Sequence, residues 1–141
     1  EGALVELQLG ARAGTAGETP LAARYKVLAL GDGRFTGTGP FYRGGRFELG
    51  PMALLEVGGV HIAVASRKQQ AADQAMFRHL RAEPAGYAVL VLKSSVHFRA
   101  DFGPIASRVL VVEAPGQNIA DPARLPFTKL RPGMRTSPRR R

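Results

Sequence analysis

Glycine is concentrated in one stretch of this 141-residue chain: residues 31–50 contain seven glycines, with Phe35, Phe41 and Phe47 between them. Because glycine in a helix interior costs about 1 kcal/mol relative to alanine, this stretch is a poor candidate for a helix. It is typical of short strands joined by tight turns, where glycine supplies the positive φ that such turns need.

The flanking sequence predicts longer strands. Four segments show the alternating or continuous apolar pattern of strands: residues 4–9, 24–30, 52–57 and 60–65. The last two are separated by Gly58-Gly59, which predicts a two-residue hairpin turn. We therefore expect antiparallel hairpins in the N-terminal half.

The pattern changes in the C-terminal half. Residues 73–81 predict a helix capped by Asp73, with a buried face of Met76, Phe77 and Leu80 and a stop at Pro84. The apolar runs 88–92 and 109–112 predict buried strands, and residues 96–106 predict a helix between them that Gly103-Pro104 kinks or splits. Strand, helix and strand in this order form a βαβ unit. The predicted fold class is α+β, a mixed sheet with N-terminal antiparallel hairpins and one C-terminal βαβ unit.

Charge divides the chain into a single domain, residues 1–130, and a basic tail, residues 131–141, that we expect to be disordered. The formal net charge is +9, and the tail holds five arginines and no acidic residue. Such a tail is either a solvated terminus or a phosphate-binding arm, which makes a nucleic-acid-binding module one alternative function. The rest of the chain has no helix-turn-helix pattern and no RNP-type aromatic pair, so nucleic acid is not the partner we expect.

The composition excludes several other classes. There is no cysteine, hence no disulfide, thiolate metal site or cysteine nucleophile. No apolar run approaches the roughly 20 residues of a membrane-spanning helix, so no membrane partner is expected. The chain opens at Glu1 almost inside a predicted strand, and we therefore expect it to be a piece of a longer protein. The cytoplasm is the default expectation for its location.

The histidines do not predict a metal site. His61, His79 and His97 lie in different predicted elements, and none has a second ligand at a spacing that places both on one helix face. We expect His61 and His79 to be surface or hydrogen-bonded side chains, and no metal to be held within this chain.

The glycine-rich stretch also fails as a phosphate-binding loop. Gly37-Thr38-Gly39-Pro40 matches neither GxGxxG nor a P-loop, which favours structural turns. The side chains of Arg34, Tyr42 and Arg43 are nevertheless candidates to line a substrate cleft or a domain interface.

Residues 93–99, Lys-Ser-Ser-Val-His-Phe-Arg, are the strongest candidate for chemistry. They lie where a predicted strand ends and a helix begins, so Ser94 or Ser95 is a natural N-cap beside free backbone N–H groups that attract an anion. Lys93, His97 and Arg99 add cationic donors. The alternative is a capped helix whose charges are merely solvated.

Together these motifs resemble the C-terminal domain of the microcystinase C (MlrC-like) family. The resemblance covers nearly all of residues 3–133. It rests on Asp32-Gly33-Arg34-Phe35-Thr36, Thr38-Gly39-Pro40-Phe41-Tyr42-Arg43-Gly44, Leu49-Gly50-Pro51, Val57-Gly58-Gly59-Val60, Ser66-Arg67-Lys68-Gln69-Gln70, Lys93-Ser94-Ser95-Val96-His97-Phe98-Arg99-Ala100 and Glu113-Ala114-Pro115-Gly116.

The resemblance implies a zinc-dependent peptidase that opens linearised cyclic peptide toxins, in which a larger N-terminal domain supplies the metal ligands. No zinc ligand carries over to this sequence, so zinc is expected in the full-length protein and this chain alone is expected to be inactive. Its implied partners are that catalytic domain and a peptide substrate, with a homo-oligomer also open.

Within such an enzyme, residues 93–99 are expected to face the shared cleft. Lys93 or Arg99 would bind a substrate carboxylate, His97 would donate to the developing oxyanion, and Ser94, Ser95, Arg34, Tyr42 and Arg43 would contact substrate. The alternative is a purely structural or dimerisation domain.

Overall fold

A computed structural model of the chain describes residues 1–11, 19–94, 96–113 and 121–137. The strands are β1 (Leu4–Leu9), β2 (Leu21–Gly31), β3 (Arg34–Thr36), β4 (Arg46–Glu48), β5 (Met52–Val57) and β6 (Val60–Ala65). The helices are α1 (Ala75–Arg78) and α2 (Arg99–Phe102), with 3₁₀ turns at Pro84–Gly86, Gly103–Ile105 and Pro122–Arg124. Two compact units are present, one of Glu1–Leu7 and Ala23–Leu110, the other of Gln8–Ala22 and Val111–Arg141.

The larger sheet has four strands in the order β1-β2-β5-β6. β5 pairs antiparallel with both β2 and β6. The β5–β6 turn is formed by Gly58 and Gly59, whose φ angles of 56° and 79° are those of a primed hairpin turn. This confirms the hairpin that the sequence predicts.

The smaller sheet is the β3–β4 hairpin, which lies within the glycine-rich stretch of residues 31–50. Phe35 lies opposite Phe47 in the register, and their rings stack with centroids 5.1 Å apart. Gly33 lies directly before β3 and has a φ of +75°. An added Cβ at this position would overlap the carbonyl oxygen of Gly50. The short strands and tight turns expected for residues 31–50 are thus present.

The buried core forms between β2, β5 and residues 73–82, which contain α1 and which we call the α1 segment. Its buried members are Ala29, Leu49, Met52, Leu54, Leu80 and Ala82. Met76 is also buried and Phe77 packs at the edge of this cluster, so the predicted apolar face of the helix is confirmed.

The helix predicted over residues 73–81 is shorter than expected. The N-cap position is Gln74, with no side-chain cap, rather than the predicted Asp73; Asp73, one residue earlier, accepts a hydrogen bond from the Ala75 N–H at 2.9 Å. At the other end Arg81 adopts φ +60°, and the Ala82 N–H donates to the Phe77 carbonyl. A left-handed residue followed by this bond ends a helix, so the stop precedes Pro84.

The α+β class and the N-terminal hairpins are confirmed, but the C-terminal βαβ unit is not formed in the described residues. Residues 88–92 and 109–112 carry no strand assignment, and the strand pairs of the larger sheet given above are antiparallel rather than mixed. The physical reason is that a strand needs a neighbour for its backbone groups and a cover for its side chains. Val91 and Val111 are 87% and 84% exposed, so neither run has the cover that its composition predicts. The helix between them is split as expected, into α2 and the 3₁₀ turn at Gly103–Ile105.

Within the described ranges, no helix is both long and apolar enough to cross a membrane. Residues 131–137 of the basic tail are described, and residues 138–141, with three of its arginines, lie outside the described residues.

Candidate functional site

A compact turn between β3 and β4 presents two aromatic side chains, Phe41 and Tyr42. The Gly44 N–H donates to the Gly37 carbonyl at 2.9 Å, and the Gly37 N–H donates to the Gly45 carbonyl at 2.8 Å. Phe41 and Tyr42 contact each other edge to face, with centroids 4.6 Å apart. Backbone pairing at the base of the turn therefore fixes where both rings lie.

Asp73 anchors the start of this turn from beneath. Its carboxylate is fully buried and accepts the Gly39 N–H at 2.9 Å, in addition to the Ala75 N–H. The Thr38 hydroxyl lies 3.4 Å away and adds a weaker contact. A single carboxylate thus ties the aromatic turn to the beginning of α1.

Asp101, in α2, makes a second tie to the same segment. Its carboxylate accepts the Gln74 N–H at 2.7 Å, and its backbone carbonyl accepts the Gln74 side-chain amide at 2.6 Å. Asp101 also lies so close to Gly39 that an added Cβ there would meet the carboxyl group at 2.5 Å. These contacts hold α2, and hence the residue that precedes it by two positions, against the α1 segment.

That residue is His97, whose imidazole ring stacks on Phe41. The two ring centroids are 4.0 Å apart with planes 14° from parallel. His97 Nδ1 lies 3.1 Å from the Gln70 Oε1, and the Gln70 Nε2 donates to the Ser94 Oγ at 2.8 Å. Because an amide oxygen only accepts, Nδ1 is the donor and the neutral ring carries its lone pair on Nε2.

Tyr42 extends the same cluster. Its hydroxyl accepts a hydrogen bond from the Gln69 side-chain amide at 2.8 Å, and its ring packs edge to face on Phe47 with centroids 4.9 Å apart. We call the resulting group the His97 cluster: Phe41, Tyr42, Gln69, Gln70, Ser94 and His97. Phe41, Gln69 and His97 are exposed, so the cluster is open to a ligand.

Three of the predicted site residues, His97, Ser94 and Tyr42, are brought together in this cluster. Lys93 and Arg99 flank it in sequence and are exposed, and the Arg99 guanidinium lies 5.2 Å from the centroid of the neighbouring Phe98 ring. Ser95 lies outside the described residues.

The two other predicted arginines are exposed, and no side-chain contact among the described residues joins them to the cluster. Arg34 lies in β3 opposite Glu48, and Arg43 lies in the turn beside Tyr42.

The predicted N-cap is wrong. α2 begins at Arg99, its N-cap position is Phe98, and no side chain caps it. Ser94 instead accepts from Gln70, which is possible because the chain makes a separate turn at residues 96–99 before the helix starts. A four-residue helix also presents too small a dipole to attract an anion by itself.

Phe41, Gln69 and Gln70 are not among the site residues predicted from the sequence, because they are neither titratable nor cationic and contribute by stacking and by neutral hydrogen bonds. The available signal was their position in the shared motifs, in Phe41-Tyr42-Arg43 and Lys68-Gln69-Gln70.

The cluster does not fit a zinc ion. Zinc sites in proteins use three or four imidazole, thiolate or carboxylate ligands, whereas this cluster offers one imidazole and neutral oxygens. Among all the residues that the structure describes, no group of three or more His, Cys, Asp or Glu side chains is arranged to hold a metal.

The other histidines are hydrogen-bonded, as expected. His61 Nδ1 lies 2.7 Å from the Tyr87 hydroxyl, and the Gly33 N–H donates to His79 Nε2 at 3.0 Å.

Arg78 and Glu83 form an ion pair at the end of α1. The Arg78 guanidinium donates to both carboxylate oxygens of Glu83, at 2.8 and 2.9 Å. This bond lowers the pKa of Glu83 and raises the pKa of Arg78 from their ordinary values. The pair is exposed, so it supports the fold locally and takes no part in the site.

Comparisons with known proteins agree on one relationship. A family model described as MlrC C-terminus matches residues 1–129. Microcystinase C of Sphingomonas sp. is 30% identical over 117 residues, which are 83% of this chain and 22% of that protein. A crystal structure of a candidate metallopeptidase from Mesorhizobium sp. BNC1 superimposes with a TM-score of 0.82 at 29% identity, covering 94% of this chain and 26% of that one. The chain therefore spans about a quarter of the length of these relatives.

Proposed function

This chain belongs to the MlrC family as its C-terminal domain, and from that premise we propose that it is the accessory domain of a zinc-dependent peptidase. In this proposal it packs on an N-terminal catalytic domain that holds the metal, and the His97 cluster forms part of the wall of the peptide-binding cleft. The relatives are about four times as long as this chain, which leaves room for such a catalytic domain.

The observation that carries the proposal is the constrained orientation of an exposed histidine. One face of the His97 ring is stacked on Phe41 and Nδ1 is bonded to Gln70, while Nε2 has no partner among the described residues. Fixing an exposed side chain costs conformational entropy, and a binding site recovers that cost because the group is already oriented when the ligand arrives.

The chemistry that the cluster offers suits a peptide. Neutral His97 accepts a backbone N–H at Nε2, and protonated His97 donates there to a carbonyl or an oxyanion. Phe41 supplies an exposed apolar face for a side chain. In the proposal Lys93, Arg99 and Arg43 add positive charge for a substrate carboxylate, and Arg34 and Ser95 contact the rest of the peptide.

The test is His97→Ala in the full-length enzyme, assayed on a peptide panel with zinc present. We expect kcat/KM to fall by roughly 100-fold, the scale on which a lost transition-state donor acts. His61→Ala is the matched control, because His61 is also exposed and bonded to a single side chain, Tyr87.

The alternative, a purely structural or dimerisation domain, predicts a different result. In that case His97→Ala and His61→Ala would change kcat/KM equally little, and any loss would follow the melting temperature of each variant. Measuring both melting temperatures beside the kinetics separates the two functions.

A further inference from the structure

Residues 88–92 form an apolar segment that belongs to neither sheet. The chain enters it from Tyr87 in extended conformation, with φ −101° and ψ 136°. Along the segment burial alternates: Leu90 and Leu92 are half-buried, whereas Val89 and Val91 are 77% and 87% exposed. A period of two is the pattern of a β-strand with one face on its domain and the other face bare.

The backbone of residues 88–92 makes no backbone–backbone hydrogen bond with any other residue that the structure describes. Extended apolar backbone without a ladder partner is a template for pairing with another strand. An isolated domain rarely leaves valines so exposed on an extended segment unless something else covers them.

We propose that residues 88–92 become a β-strand by pairing with a strand from the remainder of the longer polypeptide. The argument for this occupant is length: the relatives extend over roughly three further lengths of this chain, and in the proposed function that remainder is a domain covalently attached to it. The inference rests on the proposed function only in that it takes this remainder to be a domain on which the chain packs.

A second segment, residues 109–112, has the same character. Its side chains are largely exposed: 69% for Leu110, 84% for Val111 and 77% for Val112. Ala106, three residues before the segment, has an extended backbone with φ −99° and ψ 123°. It provides an independent place at which the same kind of pairing is measurable.

The test is amide hydrogen exchange, read residue by residue, in the full-length protein. The N–H groups of successive strand residues point to opposite edges, so one partner strand protects alternate amides. We expect every second amide within residues 88–92 to exchange about 100-fold or more slowly than its neighbours, approaching the protection of β5. Fast exchange throughout, or protection without this alternation, would overturn the proposal.

A substitution supplies the second measurement. Val91→Lys places a charge on the outer face and should reduce that protection by about tenfold or more, whereas Val60→Lys, at an exposed valine of the paired hairpin, should leave it unchanged. Equal effects of the two variants would contradict the proposal.

Dilution identifies which polypeptide supplies the strand that pairs with residues 88–92, because pairing within one polypeptide does not depend on concentration. Protection that disappears on dilution would show that a second copy, and not the same polypeptide, supplies the strand. None of these readouts involves catalysis, so they stand or fall separately from the kinetic effect of His97→Ala.

Discussion

At the scale of single residues, Asp73 links the fold to the candidate site. It is fully buried, yet its described partners are amide N–H groups and a hydroxyl. A buried carboxylate is tolerated only where hydrogen-bond donors replace the lost water, and here those donors come from the turn between β3 and β4 and from the first residue of α1. The position of Phe41 in the site thus depends on a residue that makes no contact with it in the described set.

Asp73→Asn tests this dependence. The amide keeps one accepting oxygen but turns an NH₂ group toward a backbone N–H, so we expect a loss of about 1–3 kcal/mol in the free energy of unfolding. Urea denaturation measures it. Asp121→Asn is the control, because Asp121 makes the same local bond to an amide two residues ahead, Ala123, but is exposed. If the two substitutions proved equally mild, the anchoring role of Asp73 would be refuted.

At the scale of elements, the β5–β6 hairpin was fully predictable because its signals are local. The alternation of residues 52–57 and 60–65 sets the two faces, and Gly58-Gly59 sets the turn, so no distant contact is needed to specify it. The His97 cluster was predictable only in part. The sequence predicts that His97 lies near the start of a helix. Its ring stacks on Phe41, 56 positions away in the chain, and no local sequence pattern specifies a contact between residues so far apart.

The β5–β6 turn allows two neighbouring glycines, Gly58 and Gly59, to be compared directly. Gly59→Ala forces a Cβ into φ +79° and is expected to cost about 1 kcal/mol, whereas Gly58→Asn, at φ +56°, is expected to stay within about 0.5 kcal/mol of the parent because asparagine tolerates this region. An added Cβ meets nothing within 4 Å at either position, so the difference is conformational and not steric. Thermal unfolding of both variants measures it, and the reverse order would contradict the turn assignment.

At the scale of the whole molecule, the incorrect βαβ prediction is informative. The runs 88–92 and 109–112 have the composition of strands covered on both faces, and that composition is real. The βαβ prediction assumes that each of these runs is covered by other parts of the same chain. Val91 and Val111 are instead exposed in the described structure, and our proposal places the cover of residues 88–92 in the remainder of the longer polypeptide.

This exposure predicts the behaviour of the chain produced by itself. We expect Val89→Thr combined with Val91→Thr to raise its solubility several-fold, because threonine keeps the extended preference while removing exposed apolar surface. Val60→Thr, in a strand that is already paired, should have little effect. Concentration-dependent light scattering is the measurement, and unchanged scattering in the double variant would count against association through this segment.

The close approach of Asp101 to Gly39 also limits which positions of the turn between β3 and β4 can carry a side chain. A side chain at position 39 would collide with the Asp101 carboxyl group, and one at position 37 would collide with the Tyr42 backbone, so both positions are closed to substitution. Pro40, Phe41 and Arg43 are exposed and meet no such restriction. Substitution of this turn is thereby confined to its tip, so in the proposed enzyme a change of peptide specificity would arise there without altering the base of the turn.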